Sequence, residues 1–401
     1  MEKTKILNRN LKLFTIVKMV GPLVMWSTLM TIFYKERGLS YADIALIQTI
    51  GSAFSMLIDI PTGMLADRFG DKFFMVLCPI FCIIACILNI FAYGFTMFLL
   101  AEFAFGTGFA CMSGAGSSFF YKNLREMGRL DEYRTIVSNL DKRAVPIRMF
   151  SRFIAPILYS FMSISVFIIS AIIYAIMLIC YLQFDESQFT KVISEKVKEE
   201  GVKLKEKFFK LIIRYKSFIL LSVLSLIFFT LISNFGQYFP NQIEEMGFNI
   251  AFLGVLYTIR SAGGYFSNMI APRIKEKDTW KCMFLFPSIF ALFLIVLYFS
   301  YNIYTTLFIF FAADFVITPF DTLLAEKIHQ SVDDKHRTTM LSISHQFDNF
   351  STFLFDPLIG WSLDRLGFKL TYFYLGGIFL VVITMIGIYF FKIRIYKKRG
   401  Y

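Results

Sequence analysis

Gly63-Met64-Leu65-Ala66-Asp67-Arg68-Phe69-Gly70-Asp71-Lys72 is a short polar corner between two long apolar runs, 41–66 and 73–93. Each residue type has a physical use there. Gly63 lets a neighbouring helix approach closely, and Gly70 permits a turn with positive φ. Asp67 can accept hydrogen bonds from a helix N-terminus. Arg68 and Lys72 suit a basic, water-facing layer. Such a corner is needed where two apolar helices must reverse direction at a membrane surface.

The composition outside the corner agrees. The chain has 401 residues, 57% of them hydrophobic, with 50 Phe and only 17% charged. Mean hydropathy is +0.62. Soluble domains carry about 25% charged residues, so this balance argues against a soluble enzyme, and it excludes disorder and collagen. The six Cys are too few and too scattered for a disulfide framework. Cys78, Cys82 and Cys86 form a stripe at i, i+4, i+8, but no His or acid accompanies them, so the stripe reads as packing and no metal site is expected.

The net charge of +12 comes from 41 Lys and Arg against 29 Asp and Glu. In a soluble chain it would suggest nucleic acid. Here the basic residues fall mostly between apolar runs, as cytoplasmic loops do. A helix needs about 20 mostly apolar residues to cross a bilayer. Twelve spans fit: 11–34, 41–66, 73–93, 95–121, 136–162, 163–183, 217–239, 249–271, 280–300, 303–327, 338–363 and 370–391. The fifth contains Asp141, Lys142, Arg143, Arg148 and Arg152, and hydropathy alone would miss it. Charge counting keeps it. With twelve spans and an inner N-terminus, 31 Lys and Arg lie in the cytoplasmic tails, loops and helix ends, four lie outside (Lys35, Arg37, Arg365, Lys369) and the other six (Lys18, Lys142, Arg143, Arg148, Arg152, Arg260) lie inside spans. Without the fifth span, the nine Lys and Arg between Lys191 and Lys216 would face outward.

This reading gives an N-terminal six-helix half, 1–183, a cytoplasmic linker at 184–216 with the pattern of an amphipathic helix, and a C-terminal half, 217–401. The halves repeat weakly. Asp131-Glu132-Tyr133-Arg134-Thr135 leads into the fifth span and Asp334-Lys335-His336-Arg337-Thr338 into the eleventh. Ser138 and Ser342, then Pro156 and Pro357, follow at nearly the same offset. A six-plus-six repeat is a common transporter design.

The corner at 63–72 resembles the signature G-x-L-a-D-r-x-G-r-k of the major facilitator superfamily, in the loop between helices two and three where that family carries it. Asp71 stands at the ninth position, which is usually basic. In the family this corner helps to lock the cytoplasmic gate, which would assign that role to Gly63, Asp67, Arg68, Gly70 and Lys72. The run Gly360-Trp361-Ser362-Leu363-Asp364-Arg365-Leu366-Gly367 looks like a second copy. The topology places it outside, so it is read as a turn between the last two helices and not as a second gate. The fourth span, with Phe98, Glu102 and Gly106-Thr107-Gly108, is similar to the family's l-x-x-x-R-x-x-q-G-x-g-a-a, with Glu102 where Arg is usual. The fifth offers Ala155-Pro156-Ile157-Leu158-Tyr159 in place of the antiporter pattern G-P-x-x-G-G. Both are departures from the drug/proton antiporters.

Ionisable groups inside a span are costly and hence functional candidates. Helical periodicity puts Asp141, Arg148 and Arg152 on one face, Asp314, Thr318 and Asp321 on another, and His345, Asp348, Thr352 and Asp356 on a third. The family's cavity is lined by helices one, four, seven and ten. The resemblance therefore implies that Lys18, Glu102, Asn234, Gln237 and Asp314 lie near the substrate path, with Arg148, Arg152, Arg260, His345 and Asp348 beside it. Lys18, Asp321 and Asp356 also have a structural reading, at helix ends within reach of solvent.

The fold implied is an all-α membrane protein of twelve helices in two pseudo-symmetric halves. The function implied is secondary active transport by alternating access, with Glu102, Asp314 or Asp348 carrying a coupling proton. Export of an amphipathic compound or drug comes first, and uptake of a small polar nutrient or organic anion second. No Walker-type G-x-x-x-x-G-K-[ST] run is present. A membrane enzyme lacks any recognisable nucleophile–base spacing. The expected partners are a small-molecule substrate, protons and the lipid bilayer, with no nucleic acid and no cofactor. The expected setting is the cell membrane, with the chain acting as a monomer and both termini cytoplasmic.

Overall fold

The computed structural model describes residues 2–113, 115–185, 216–267, 269–331 and 337–398. The described residues are helical, without a strand. In chain order the α-helices are α1 (Glu2–Val20), α2 (Met30–Glu36), α3 (Tyr41–Phe69), α4 (Asp71–Phe91), α5 (Gly94–Ser113), α6 (Ala115–Glu126), α7 (Tyr133–Phe161) and α8 (Ser165–Leu182). Then come α9 (Lys216–Glu245), α10 (Leu253–Ser267), α11 (Thr279–Phe299), α12 (Ile303–Ala312), α13 (Asp314–Ser331) and α14 (Arg337–Lys398). Helix α14 is two helices meeting at Gly367, whose φ of 70° and ψ of 175° are not helical.

Nine stretches among the described residues are helical, long and apolar enough to cross a membrane. Three elements separate that number from the twelve spans read in the sequence. The fifth span is an unbroken helix, α7, of 29 residues, but its charges keep it outside a purely apolar criterion. The stretch Thr352–Ile388 holds both sides of the Gly367 turn. The apolar stretch Ile250–Ser261 is short. The predicted linker helix falls largely outside the described residues.

The chain forms two compact units. Unit 1 comprises Met1–Leu39, Leu46–Lys205 and Ile250–Tyr257, and unit 2 comprises Ser40–Ala45, Glu206–Asn249 and Thr258–Tyr401. In unit 1, α4 packs on α5 and α8. A Cβ on Gly108 would lie 2.8 Å from the Cys82 Sγ and 3.0 Å from the Cys78 carbonyl, so the cysteine stripe is the face on which α5 rests. All three stripe cysteines are free and buried. Phe33 meets Phe98 and Phe167, with ring centroids 6.1 and 4.6 Å away. In unit 2, α14 packs on α9 and α11. Its core includes Phe239 stacked on Phe310 at 3.7 Å and Phe228 against Phe320 at 4.2 Å.

One expected helix is broken. The first span, read as continuous over 11–34, stops at Val20 and resumes at Met30. Two 3-10 turns, Gly21–Leu23 and Trp26–Thr28, lie between. Pro22 sits in the first of them, where a missing N–H and a fixed φ end an α-helix. The break is braced by neighbours. Ser151 Oγ donates to the Leu23 and Val24 carbonyls at 3.1 and 3.3 Å. The Met25 N–H donates to Ser170 Oγ at 3.1 Å, and Trp26 Nε1 donates to the Tyr174 hydroxyl at 3.4 Å.

Candidate functional site

Within unit 1 the break opens onto a cavity of about 430 Å³. The segment from Gly21 to Thr28, Leu23 excepted, forms one side. Helix α7 contributes Arg148, Ser151 and Arg152, and Tyr174 and Met177 come from α8. Arg148 and Arg152 thus share a helix face, as periodicity predicts, and it is the face turned to the cavity. Asp141 does not join them: it lies 4.0 Å from Lys18 Nζ, and both side chains of that pair are exposed. Lys18 also lies over the Phe14 ring, 5.8 Å from its centroid.

Glu102 is also in unit 1, half-buried on α5. Its side chain lies across Gly51 of α3, where an added Cβ would overlap the Glu102 Cγ. It makes no hydrogen bond or ion pair with the described residues. At the corner, Gly70 has φ 95° and precedes the first residue of α4. Gly63 and Arg68 are exposed and Lys72 is half-buried. The Arg68 guanidinium lies over the Phe69 ring at 5.6 Å. The Asp67 side chain lies outside the described residues. Asp71, the departure from the family pattern, turns inward. It is 3% exposed, 2.8 Å from Lys122 Nζ, and accepts from Ser118 Oγ at 3.0 Å. An acid at this position therefore fastens α4 to α6 and does not extend the basic layer.

In unit 2 the structure joins two residues that sequence reasoning kept apart. Arg260 of α10 and Asp314 of α13 form an ion pair, with Nε and Nη2 at 3.0 and 2.9 Å from one carboxylate oxygen. The Arg260 guanidinium also lies 4.6 Å from the Phe310 ring centroid. Asn234 donates to Asp356 at 2.9 Å. Gln237 is half-buried on α9. Helical backbone extends through His345 and Asp348, but their side chains lie outside the described residues.

Asp356 corrects a sequence expectation. Read as a helix-end residue, it is only 1% exposed and sits against α9 in the interior of unit 2. The reason is that its helix runs on to Gly367, so Asp356 is mid-helix. Its second carboxylate oxygen and the Asn234 amide oxygen have no partner among the described residues. The signal was its place on the His345–Asp348–Thr352 face. The broken first span was missed as well, although Gly21-Pro22 was the available clue. Among the described residues no group of three His, Cys, Asp or Glu is placed to hold a metal ion.

A sequence profile of the Major Facilitator Superfamily matches residues 5–131 and 147–332. The chain belongs to the Major Facilitator Superfamily. The interval between the two matched stretches, 132–146, covers the charged start of α7. Three solved structures share the fold of this superfamily member. The nucleoside transporter NupG is 14% identical, with 96% of this chain and 99% of that one covered and a TM-score of 0.73. A bacterial homolog of the human lysosomal transporter Spinster, inward-facing and occupied, is 12% identical, with 96% of each chain covered and a TM-score of 0.68. A POT family transporter in complex with a thioalcohol-conjugated peptide is 15% identical, with 97% and 95% covered and a TM-score of 0.64. No curated protein sequence matches the chain. As a superfamily member it is a multi-pass membrane transporter and not an enzyme, which accounts for its apolar composition.

Proposed function

We propose that this chain is a proton-coupled secondary active transporter that exports an amphipathic compound across the cell membrane, its two halves alternating access to a site between membrane faces. The observation that carries the coupling is the setting of Glu102. A carboxylate without a counter-charge in a dry site favours its neutral form, and wetting reverses that preference, so one group can take up and release a proton on opposite sides. Glu102 is half-buried on a membrane-spanning helix and makes no hydrogen bond or ion pair with the described residues, whereas Asp314 is already committed to Arg260. Asp348 stays in the candidate set on sequence grounds.

In proteoliposomes, Glu102→Gln should still exchange substrate by counterflow but fail to concentrate it against a gradient. Uphill, proton-dependent transport by that variant would move the coupling elsewhere. The corner residues Gly63, Asp67, Arg68, Gly70 and Lys72 are proposed to act on the cytoplasmic gate. Asp67→Asn should then slow turnover while binding persists, because a contact worth about 1.5–3 kcal/mol would be lost from one gate state only. The termini and the 184–216 linker are assigned to the cytoplasm on the 31-to-4 charge division. A reporter at Tyr401 tests this: access only from outside would reverse the orientation. The monomeric state is part of the same reading.

A second reading, uptake of an organic anion or small polar nutrient, has Arg148 and Arg152 in its favour. Transport assayed in right-side-out and inverted vesicles separates the two directions.

A further inference from the structure

We infer that Asp356 binds an exchangeable proton and is held as a neutral carboxylic acid against the side-chain amide of Asn234. The inference rests on the proton-coupled reading above and gives unit 2 a proton site beside that of Glu102 in unit 1. Asp356 and Asn234 are each only 1% exposed. The Asn234 Nδ2 donates to the Thr230 carbonyl at 3.0 Å and to Asp356 Oδ1 at 2.9 Å. A backbone carbonyl only accepts, so the nitrogen of this amide is fixed and its other atom is the oxygen. Asp356 Oδ2 and Asn234 Oδ1 are therefore both acceptors, and both lack a partner among the described residues. One hydrogen answers both needs. Placed on Asp356 Oδ2, it supplies the donor that Asn234 Oδ1 lacks, and acid and amide hold each other by two reciprocal hydrogen bonds.

Charge balance points the same way. A buried carboxylate without a counter-charge is strongly disfavoured, and a proton removes the charge outright. Helices α9, α11 and α13 pack on α14. On α9, Tyr238 is the titratable group in electrostatic contact with Asp356, and a phenol brings no positive charge. The charged side chains described on α11 and α13, Lys281, Asp314, Asp321, Glu326 and Lys327, make no bond to Asp356. On α14 itself, Asp364 is engaged with the Tyr41 and Ala42 N–H groups. A hard metal cation fits less well. It takes about six oxygen ligands, and the open oxygens of this pair are Asp356 Oδ2 and Asn234 Oδ1. The two helices also provide a way to release the proton. Pro357 follows Asp356 directly in α14, and Pro240 lies in α9 beyond Asn234. Each proline removes a helical hydrogen bond, and helices kink at such points. A bend there separates the acid from the amide, breaks both bonds and lets water solvate the charged form.

Infrared difference spectra of the full-length protein test this with the proton itself as the ligand. Wild type minus Asp356→Asn, at neutral pH, should show the carbonyl band of one neutral carboxylic acid and no carboxylate band. In heavy water that band should move down as the acid hydrogen exchanges, and it should fade only as the pH is raised above neutral. Asn234→Leu, close in volume, should move the band up, because the acid carbonyl loses its donor. Carboxylate bands from Asp356 at neutral pH would overturn the inference, and carboxylate bands that follow added sodium would replace it with a metal-ion site. A neutral band that stays put in heavy water would overturn it too, by making Asp356 a sealed structural acid. An unmoved band in Asn234→Leu would remove the amide from the site. Aspartate carrying a heavy-carbon carboxyl label, built into the unsubstituted chain, gives the same readout should a variant not fold: the absence of any neutral aspartate band would overturn the inference. Failure here is distinct from failure of the transport reading. A chain with the exchangeable band but no uphill transport keeps the site and loses the coupled reading. One with Glu102-dependent uphill transport and no such band keeps the coupled reading and loses the site.

Discussion

Two corners of this molecule carry the same letters, G-x-x-x-D-R-x-G, at 63–70 and at 360–367, and the structure uses them differently. Their backbones agree. Gly70 and Gly367 both have positive φ, 95° and 70°, and both turn one long helix into the next. Their surroundings do not. Among the described residues a Cβ on Gly63 meets no heavy atom within 4 Å, whereas one on Gly360 would lie 2.5 Å from the Tyr41 carbonyl oxygen and 2.7 Å from the Ala45 Cβ. Asp364 accepts from the Tyr41 and Ala42 N–H groups at 2.8 and 2.7 Å. Ser40 and Asp43 complete the arrangement as a capping box. Ser40 N–H donates to the Asp43 carboxylate, and the Asp43 N–H donates to Ser40 Oγ, both at 3.1 Å. All four otherwise orphaned N–H groups at the start of α3 are thereby satisfied. The Tyr41 hydroxyl adds a bond to Glu245 at 2.8 Å. Read from sequence as a turn, the second corner is a turn that also closes unit 2. A shared motif fixes the bend, and the neighbours decide what the bend holds.

The contrast can be broken by substitution, with thermal unfolding in detergent as the measurement. Gly360→Ala should cost the most, about 2–3 kcal/mol, because the new methyl meets a backbone carbonyl that cannot yield cheaply. Asp364→Ala should cost about 2 kcal/mol, the upper range for loss of a helix cap, since both oxygens are in use. Asp364→Asn, which keeps an acceptor, should recover part of that. Gly70→Ala and Gly367→Ala should each cost about 1–2 kcal/mol, because a Cβ disfavours positive φ wherever it occurs. Unequal losses at these two would mean that the corners share letters but not a backbone. Gly63→Ala should have the smallest effect and the opposite sign, a gain of about 0.5 kcal/mol in a helix with no described residue against that position. A loss as large as that at Gly360 would remove the distinction between the corners.

The fold was legible because it is written in quantities that a chain of letters carries directly. Apolar run length marks most spans. The fifth is different: Arg148 and Arg152 hide it from hydropathy, and only the requirement that nine basic linker residues stay inside recovers it. The site was less legible, since it depends on what stands opposite each residue. Periodicity places Arg148 and Arg152 on one face but is silent on Trp26 across from them. It lists Arg260 and Asp314 separately because their pairing spans 54 positions of the chain. Asp356 was misread because span ends blur when one helix runs into the next. The break at Gly21–Thr28 escaped because hydropathy measures side chains, while a break is a matter of backbone hydrogen bonds.

That break also bears on the order in which the protein is made. Residues 21–29 enter the membrane with the first span, while their eventual hydrogen-bond partners Ser151, Ser170 and Tyr174 are more than 120 residues short of synthesis. Backbone groups left bare in hydrocarbon cost several kcal/mol each. The nascent segment must therefore satisfy those groups in another way, from water or from neighbouring backbone, until α7 and α8 have been inserted beside it. The first span to leave the ribosome is among the last to reach its final shape.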